Sequence, residues 1–134
     1  MTIAPKKILL IHNNSQERGK LAIMLSRFGH EVRFSCGKGC TDQMLISNDL
    51  VIIDDQLDKK SGLDIINQIS AKLCEKVIYL ASLPFLAASM EFQKELQNLN
   101  IYEWVTKPVD PLKLAVVVCD YFVEVANKQH ALPR

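Results

Sequence analysis

Five short strand-like runs divide the chain, and stretches with helical spacing separate them. Three of the runs are continuously apolar, as expected for strands that are buried on both faces of a sheet. The predicted strands cover residues 6–12, 30–35, 49–54, 76–81 and 101–106, and the predicted helices cover 15–28, 38–47, 63–73, 84–99 and 111–127. Strict alternation of strand and helix predicts an α/β domain with a parallel sheet, right-handed crossovers and helices on both faces.

The predicted helix ends carry their own signals. Asn14 or Ser15 can cap the first helix, because short polar side chains accept hydrogen bonds from the free N–H groups of the first turn. Gly29 can end that helix, and Ser61 can cap the third.

In a sheet of this kind, ligands bind at the carboxyl ends of the strands. Any site chemistry should therefore lie among the residues at those ends, which are His12, Asn13, Asp54, Asp55, Ala81, Ser82 and Lys107. Of the two adjacent carboxylates, we expect Asp55 to be a solvated loop residue.

Composition narrows the functional classes. A chain of 134 residues fits one domain. Its formal net charge of +1 does not provide the positive electrostatic field that nucleic-acid binding requires. No zinc-ligand spacing surrounds the four cysteines, so we expect reduced thiols. No signal peptide and no apolar run long enough to span a bilayer are visible, so we expect a cytoplasmic protein that binds no membrane.

Four residues then give a specific signal. Asp54 ends the third strand, Gly62 follows eight residues later, and Lys107 with Pro108 follows the fifth strand. From Lys6 to about Lys128 the chain resembles the receiver domain of two-component response regulators. The resemblance implies a flavodoxin-like (βα)5 sandwich with a five-stranded parallel sheet in the order 2-1-3-4-5.

The resemblance also implies roles for individual residues. Asp54 matches the aspartate that accepts a phosphoryl group from a histidine kinase, and Lys107 matches the lysine that holds phosphoryl oxygens. Switch positions correspond to Ala81, Ser82, Trp104 and Pro108, and the proline is often cis in that family. Ala81 replaces the usual Ser or Thr, although Ser82 follows directly.

The largest departure lies after the first strand, where His12 and Asn13 replace an acidic pair that binds magnesium. Mg²⁺ prefers carboxylate oxygens, so Asp54 and Asn13 would make at most a weak site. We expect no cofactor, and Mg²⁺ only if the site is functional. His12 could join Asp54 at a transition metal, but two ligands make a weak site and a hydrogen-bonded histidine is expected instead.

The final predicted helix is apolar around most of its circumference. We assign Leu112, Ala115, Val116, Cys119 and Phe122 to the sheet. A second apolar face then needs another cover, and we predict it as a homodimer or partner interface. Its residues are Leu114, Val117, Val118, Tyr121 and Val125.

The sequence thus predicts a receiver-like domain over residues 1–128, followed by a tail or linker start at 129–134. It would act in phosphorelay signal transduction as a regulatory interaction module and not as an enzyme. Its partners would be a histidine kinase or another signalling protein, and an output domain in a longer chain. Two alternatives stay open: a working Asp54 phosphoacceptor with atypical metal ligands, and a flavodoxin-like or cobalamin-type binding module on the same architecture.

Overall fold

A single parallel sheet organises the molecule. The structure is a computed structural model that describes residues 5–35, 42–57, 61–82, 90, 94 and 98–130. The strands are β1 Lys7–Ile11, β2 Glu31–Ser35, β3 Leu50–Asp54, β4 Val77–Ala81 and β5 Glu103–Thr106. All neighbours pair in parallel, in the order β2-β1-β3-β4-β5. The predicted fold class and strand order are confirmed.

The helices differ more from the sequence-based expectation. They are α1 Ser15–Arg27, α2 Asp42–Ile46, α3 Gly62–Asn67 and α4 Pro111–His130, and a 3-10 helix covers Leu73–Lys76. The third predicted helix is therefore about half as long as expected. The helix α3 ends at Asn67, and helical structure resumes only with the 3-10 helix that begins at Leu73. The predicted helix over residues 84–99 and the start of the second one lie outside the described residues, apart from the isolated helical positions 90, 94 and 98. The helix α4 continues past residue 128, and the predicted domain boundary stays a prediction.

The two faces of the sheet hold two separate apolar clusters. Ile8 and Leu10 of β1 contribute to the cluster beneath α1 and α4, whereas Leu9 and Ile11 contribute to the cluster beneath α3. Because neighbouring residues of a strand point to opposite faces, a central strand needs apolar residues at every position. All five residues of β3 are buried, which explains the continuous apolar run in the sequence.

The caps that the sequence predicts are present. The Asn14 side chain accepts hydrogen bonds from the N–H groups of Gln16 and Glu17 at the start of α1. Gly29 follows α1 with a φ of 88°, a conformation that glycine adopts without steric cost. Ser61 caps α3 in a reciprocal arrangement with Asp64. These local bonds fix where α1 and α3 begin, directly after the ends of β1 and β3.

The face of α4 that meets the sheet is not the predicted one. Leu114 and Val118, which we assigned to an exposed interface, are 0% exposed and lie in the core with Ala115. Val117 and Tyr121 are partly buried against the same cluster, and Val125 is half-buried. Leu112 and Val116, which we assigned to the sheet, are exposed.

The prediction of that interface is therefore wrong for Leu114 and Val118. On a helix that is apolar nearly all round, the spacing is compatible with two faces, and only the packing decides between them.

Among the described residues, no helix combines the length and the apolar character that crossing a bilayer requires.

Candidate functional site

His12 lies directly after β1, and its side chain is almost completely buried. Its backbone N–H donates to the carbonyl oxygen of Ser35, which continues the pairing with β2 by one residue. The ring Nδ1 accepts a hydrogen bond from the N–H of Asn14 at 3.1 Å. A neutral imidazole that accepts at Nδ1 carries its proton on Nε2. His12 therefore presents an N–H group, and not a lone pair, to the interior of the site.

The Nε2 of His12 points between two carboxylates. It lies 3.6 Å from Oδ1 of Asp54 and 3.5 Å from Oε2 of Glu17. Burial lowers the pKa of His12, although the negative charges of Asp54 and Glu17 oppose that shift. Protonation at Nδ1 would also break the hydrogen bond from Asn14. Both effects favour the neutral ring at neutral pH.

Asn13, the second residue of the replaced acidic pair, is exposed. No hydrogen bond among the described contacts joins its side chain to Asp54. Its neighbour Asn14 caps α1, and the carboxylate of Glu17 in the first turn of that helix reaches His12. The two asparagines thus differ in role: Asn14 shapes the backbone beside the site, and Asn13 faces the solvent.

Asp54 lies at the carboxyl end of β3 and is 2% exposed. Its Oδ1 is 2.5 Å from Nζ of Lys107, and its Oδ2 accepts the N–H of Gln56 at 3.1 Å. The predicted pairing of Asp54 with Lys107 is therefore confirmed. Burial by itself would lower the pKa of Lys107, but its bonds to the carboxylates of Asp54 and Asp55 raise it. The lysine is accordingly charged at neutral pH.

Asp55 does not behave as the solvated loop residue that we expected. Its Oδ1 lies 2.8 Å from Nζ of Lys107 and accepts the hydroxyl of Ser82 at 3.0 Å, while its Oδ2 accepts the N–H of Ser82 at 2.7 Å. Burial would raise the pKa of this carboxyl, but the bonds from Lys107 and Ser82 outweigh it and lower the pKa. Lys107 thus bridges the carboxylates of Asp54 and Asp55, and Ser82 donates two hydrogen bonds to Asp55. The feature of the sequence that could have revealed this role of Asp55 is its position directly after Asp54, as a pair of adjacent aspartates at the end of a strand.

Gly62 shows why the spacing from Asp54 matters. A Cβ at this position would overlap the carbonyl oxygen of Asp54 and come within 2.8 Å of the Tyr79 ring. The N–H of Gly62 donates to the carbonyl oxygen of Asp55 at 2.9 Å. Glycine is therefore required for the first turn of α3 to pack against the end of β3.

The remaining switch positions lie along β4 and β5. Ala81 is the last residue of β4, pairs with Thr106 and is half-buried. Trp104 of β5 is also half-buried, and its ring meets that of Tyr79 edge to face at 5.0 Å on the α3 side of the sheet. The peptide bond between Lys107 and Pro108 is cis, as the resemblance implied.

Comparison with solved structures agrees with this fold. The chain is similar to a CheY-like response regulator receiver domain from Methanospirillum hungatei, with 20% identity, a TM-score of 0.72, and coverage of 92% of this chain and 98% of that one. A signal receiver domain of an HD domain-containing protein from Pseudomonas fluorescens matches with 20% identity, a TM-score of 0.71, and coverage of 98% and 97%. A response regulator protein from Burkholderia multivorans matches with 27% identity, a TM-score of 0.63, and coverage of 87% and 94%. No protein-family profile and no curated protein matches the chain.

The chain has the receiver fold. In this chain the end of β3 and the end of β5 meet, so Asp54 and Lys107 come together as the resemblance implied. The end of β1 brings His12 to the same place. Within the described residues, no three His, Cys, Asp or Glu side chains are grouped in a way that could hold a metal ion.

Proposed function

We propose that this chain is a receiver-type regulatory module of signal transduction that works without a resident magnesium ion. Its role is to present a surface to other proteins, and not to catalyse a reaction. The observation that carries the proposal is the position of His12, whose Nε2 lies 3.6 Å from Oδ1 of Asp54. In receiver domains that bind magnesium, a carboxylate follows β1 at this point, as the resemblance implies.

The residues at the site do not fit a magnesium ion. Mg²⁺ requires about six hard oxygen ligands in a near-octahedral arrangement. His12 offers an N–H group, because its Nδ1 is already bonded to the N–H of Asn14. Asn13 offers at best one neutral oxygen, and Oδ1 of Asp54 is already in contact with the ammonium of Lys107. A dication would have to displace Lys107 without gaining a second carboxylate from the end of β1.

This charge arrangement bears on phosphoryl transfer to Asp54. A carboxylate that attacks a phosphoryl group meets like-charge repulsion, which a bound dication normally offsets. Without a dication, the ammonium of Lys107 supplies a single positive charge, and it already contacts the carboxylates of both Asp54 and Asp55. We therefore propose that the module signals mainly through protein contacts, with a histidine kinase or another signalling protein and with an output domain of a longer chain.

A second candidate function is favoured by one observation. The contact between Asp54 and Lys107 is the pair that a working phosphoacceptor needs. Asp54 could in that case accept a phosphoryl group with Lys107 as the main source of positive charge. The two candidates differ in their response to magnesium and to a phosphodonor, so a single experiment separates them.

The experiment treats the purified chain with a small acyl phosphate, with and without millimolar Mg²⁺, and measures phosphorylation by intact mass. We expect no magnesium-dependent phosphorylation of the wild type. The matched variant His12→Asp/Asn13→Asp restores two carboxylates at the end of β1, and we expect it to gain magnesium-dependent phosphorylation. Asp54→Asn in that background should abolish the gain. Phosphorylation of Asp54 in the wild type that does not require Mg²⁺ would instead establish the second candidate, and rapid phosphorylation that does require Mg²⁺ would overturn the proposal that the module works without the ion.

A further inference from the structure

A cavity of about 280 Å³ lies at the opposite end of the sheet from Asp54. Its walls come from the 3-10 helix that precedes β4, from the residue that precedes β5, and from the second half of α4. The residues that line it are Glu75, Tyr102, Tyr121, Glu124, Val125 and Lys128. The N–H of Tyr102 donates to the carbonyl oxygen of Val77, the first residue of β4, at 3.0 Å. The cavity is therefore built on the amino ends of β4 and β5, away from the charged network at the carboxyl ends.

Two tyrosine rings form the aromatic part of the wall. Tyr102 and Tyr121 meet edge to face, with ring centroids 4.9 Å apart and ring planes at 82° to one another. Both rings also pack against the apolar cluster beneath α1 and α4. The core therefore holds the aromatic wall in place, and no ligand is needed to form it. The face of an aromatic ring carries partial negative charge and attracts cations.

The charged part of the wall has an excess of carboxylates. Glu75 and Glu124 are both exposed, and the partner of Glu75 is neutral, because Nδ2 of Asn100 donates to its Oε1 at 3.1 Å. Neither glutamate takes part in an ion pair among the described residues. Lys128 is the one cationic side chain among the described residues of the wall. Two carboxylates and one ammonium leave the cavity with a net negative charge.

The two tyrosine hydroxyls experience that charge. Burial raises the pKa of Tyr102, and the negative charge of Glu124 raises it further. Burial, followed by the charges of Asp49 and Glu75, raises the pKa of Tyr121 to about 12. The other carboxylates that contribute to the two shifts act in the same direction. The electrostatic field at the cavity is therefore negative, and it favours a bound cation over a bound anion.

We propose that this cavity binds a small organic cation, with an ammonium or guanidinium group on a short methylene chain. The cationic group contacts the carboxylates of Glu75 and Glu124 and the tyrosine rings, and the methylene chain packs on Val125. The volume lies near the lower limit of ordinary ligand sites, which suits a ligand of this size. The cation is either a free amine or the lysine or arginine side chain of another protein, and titrations with the two kinds of ligand separate these sources.

An NMR titration of the whole chain with agmatine tests the proposal, because agmatine carries a guanidinium group and an ammonium group on one short chain. We expect saturable shifts of the ring signals of Tyr102 and Tyr121, with a dissociation constant on the order of 1 mM. n-Butanol, which has a similar chain without a charge, should leave these signals unchanged.

Substitutions that each remove a charge give the matched comparison. Glu124→Gln should weaken the binding of agmatine by up to about fivefold, and Glu75→Gln/Glu124→Gln should abolish saturable binding. Lys128→Gln removes a competing cation and should strengthen binding by up to about fivefold. The control Glu31→Gln removes an exposed carboxylate from β2, at the other edge of the sheet, and should bind as the wild type does. Amide spectra of each variant confirm that the fold is retained.

A wild type in which agmatine shifts no tyrosine signal would overturn the proposal, and so would a double glutamine variant that binds as tightly as the wild type. A short peptide with blocked ends and a single arginine is the second ligand. Tighter binding of the peptide assigns the cavity to a side chain of another protein, and tighter binding of agmatine assigns it to a free amine. Either of these two results supports the proposed chemistry of the cavity.

Discussion

The end of β1 and the ends of β3 and β5 meet at one site, yet they are built differently. At the ends of β3 and β5, Asp54, Asp55 and Lys107 form a charged network in which one ammonium contacts two carboxylates. At the end of β1, a buried neutral imidazole and an exposed amide take the places of charged groups. Two carboxylates and one ammonium leave one negative charge without a cationic partner, and Ser82 stabilises the charged side further by donating two hydrogen bonds to Asp55.

The fold constrains the choice of residues at the end of β1 less than it does at the ends of β3 and β5. Lys107 cannot be exchanged without leaving two carboxylates uncompensated, one of them in the interior. His12 holds its place by a hydrogen bond from the backbone of Asn14, which many polar residues could accept. The end of β1 is therefore free to change chemistry while the sheet and the acceptor side stay intact.

Removing the cation of the charged side should have the largest effect. Lys107→Met leaves Asp54 and Asp55 without their common partner, and we expect the free energy of unfolding at neutral pH to fall by roughly 2–4 kcal/mol. The pKa of Asp55, which bonds from Lys107 and Ser82 hold down, should rise. Chemical denaturation and an NMR titration of the carboxyl measure the two effects.

The matched control is Lys20→Met, which removes an exposed ammonium from α1. It should change the free energy of unfolding by no more than about 0.5 kcal/mol. If Lys107→Met costs no more than this control, the charged network does not stabilise the fold.

Acidification should act on the side of β1, with a smaller effect. Burial holds the pKa of His12 below its ordinary value, so the unfolded chain binds a proton at a higher pH than the folded chain does. Stability contributed by the neutral ring is therefore present above about pH 6.5 and is lost as the pH falls below it. The slope cannot exceed about 1.4 kcal/mol per pH unit for one histidine. Denaturation curves between about pH 5 and 7 measure it.

His12→Gln should remove part of that slope. His30→Gln is the matched comparison, because burial and then the charge of Lys6 also lower the pKa of His30, far from the site. The His12→Gln variant should keep the part of the pH slope that His30 contributes, and His30→Gln should keep the part that His12 contributes. A pH slope that is unchanged in His12→Gln would contradict the assignment of a neutral buried ring at the end of β1.

The smallest effect is expected at Asn13. Because its side chain is exposed, Asn13→Ala should change stability by less than about 0.5 kcal/mol, with or without millimolar Mg²⁺. Asn14→Ala, one residue further, removes the cap of α1 and should cost about 1 kcal/mol. Thermal unfolding of both variants tests the contrast. A magnesium-dependent loss in Asn13→Ala alone would show that this amide does bind the ion.

Much of the fold could be predicted from the sequence, for a physical reason. Strands buried on both faces must be apolar at every position, so the runs that became β1, β3 and β4 were visible directly. The caps at Asn14 and Ser61 depend on bonds between residues two or three positions apart, which local sequence also carries. The meeting of Asp54 with Lys107 followed from the strand order that the resemblance implied, because the carboxyl ends of parallel strands share one edge of the sheet.

Only the tertiary structure decided the rest. The role of Asp55 depends on Ser82 and Lys107, which lie 27 and 52 positions away in the sequence and reach it only in the folded sheet. The buried side of α4 could not be predicted, because an apolar helix offers several faces and the shape of the sheet selects one. The sequence by itself determined the strands, their caps and the charges at their ends. Which side chains share those charges, and which face of α4 stays exposed, depended on contacts between distant segments.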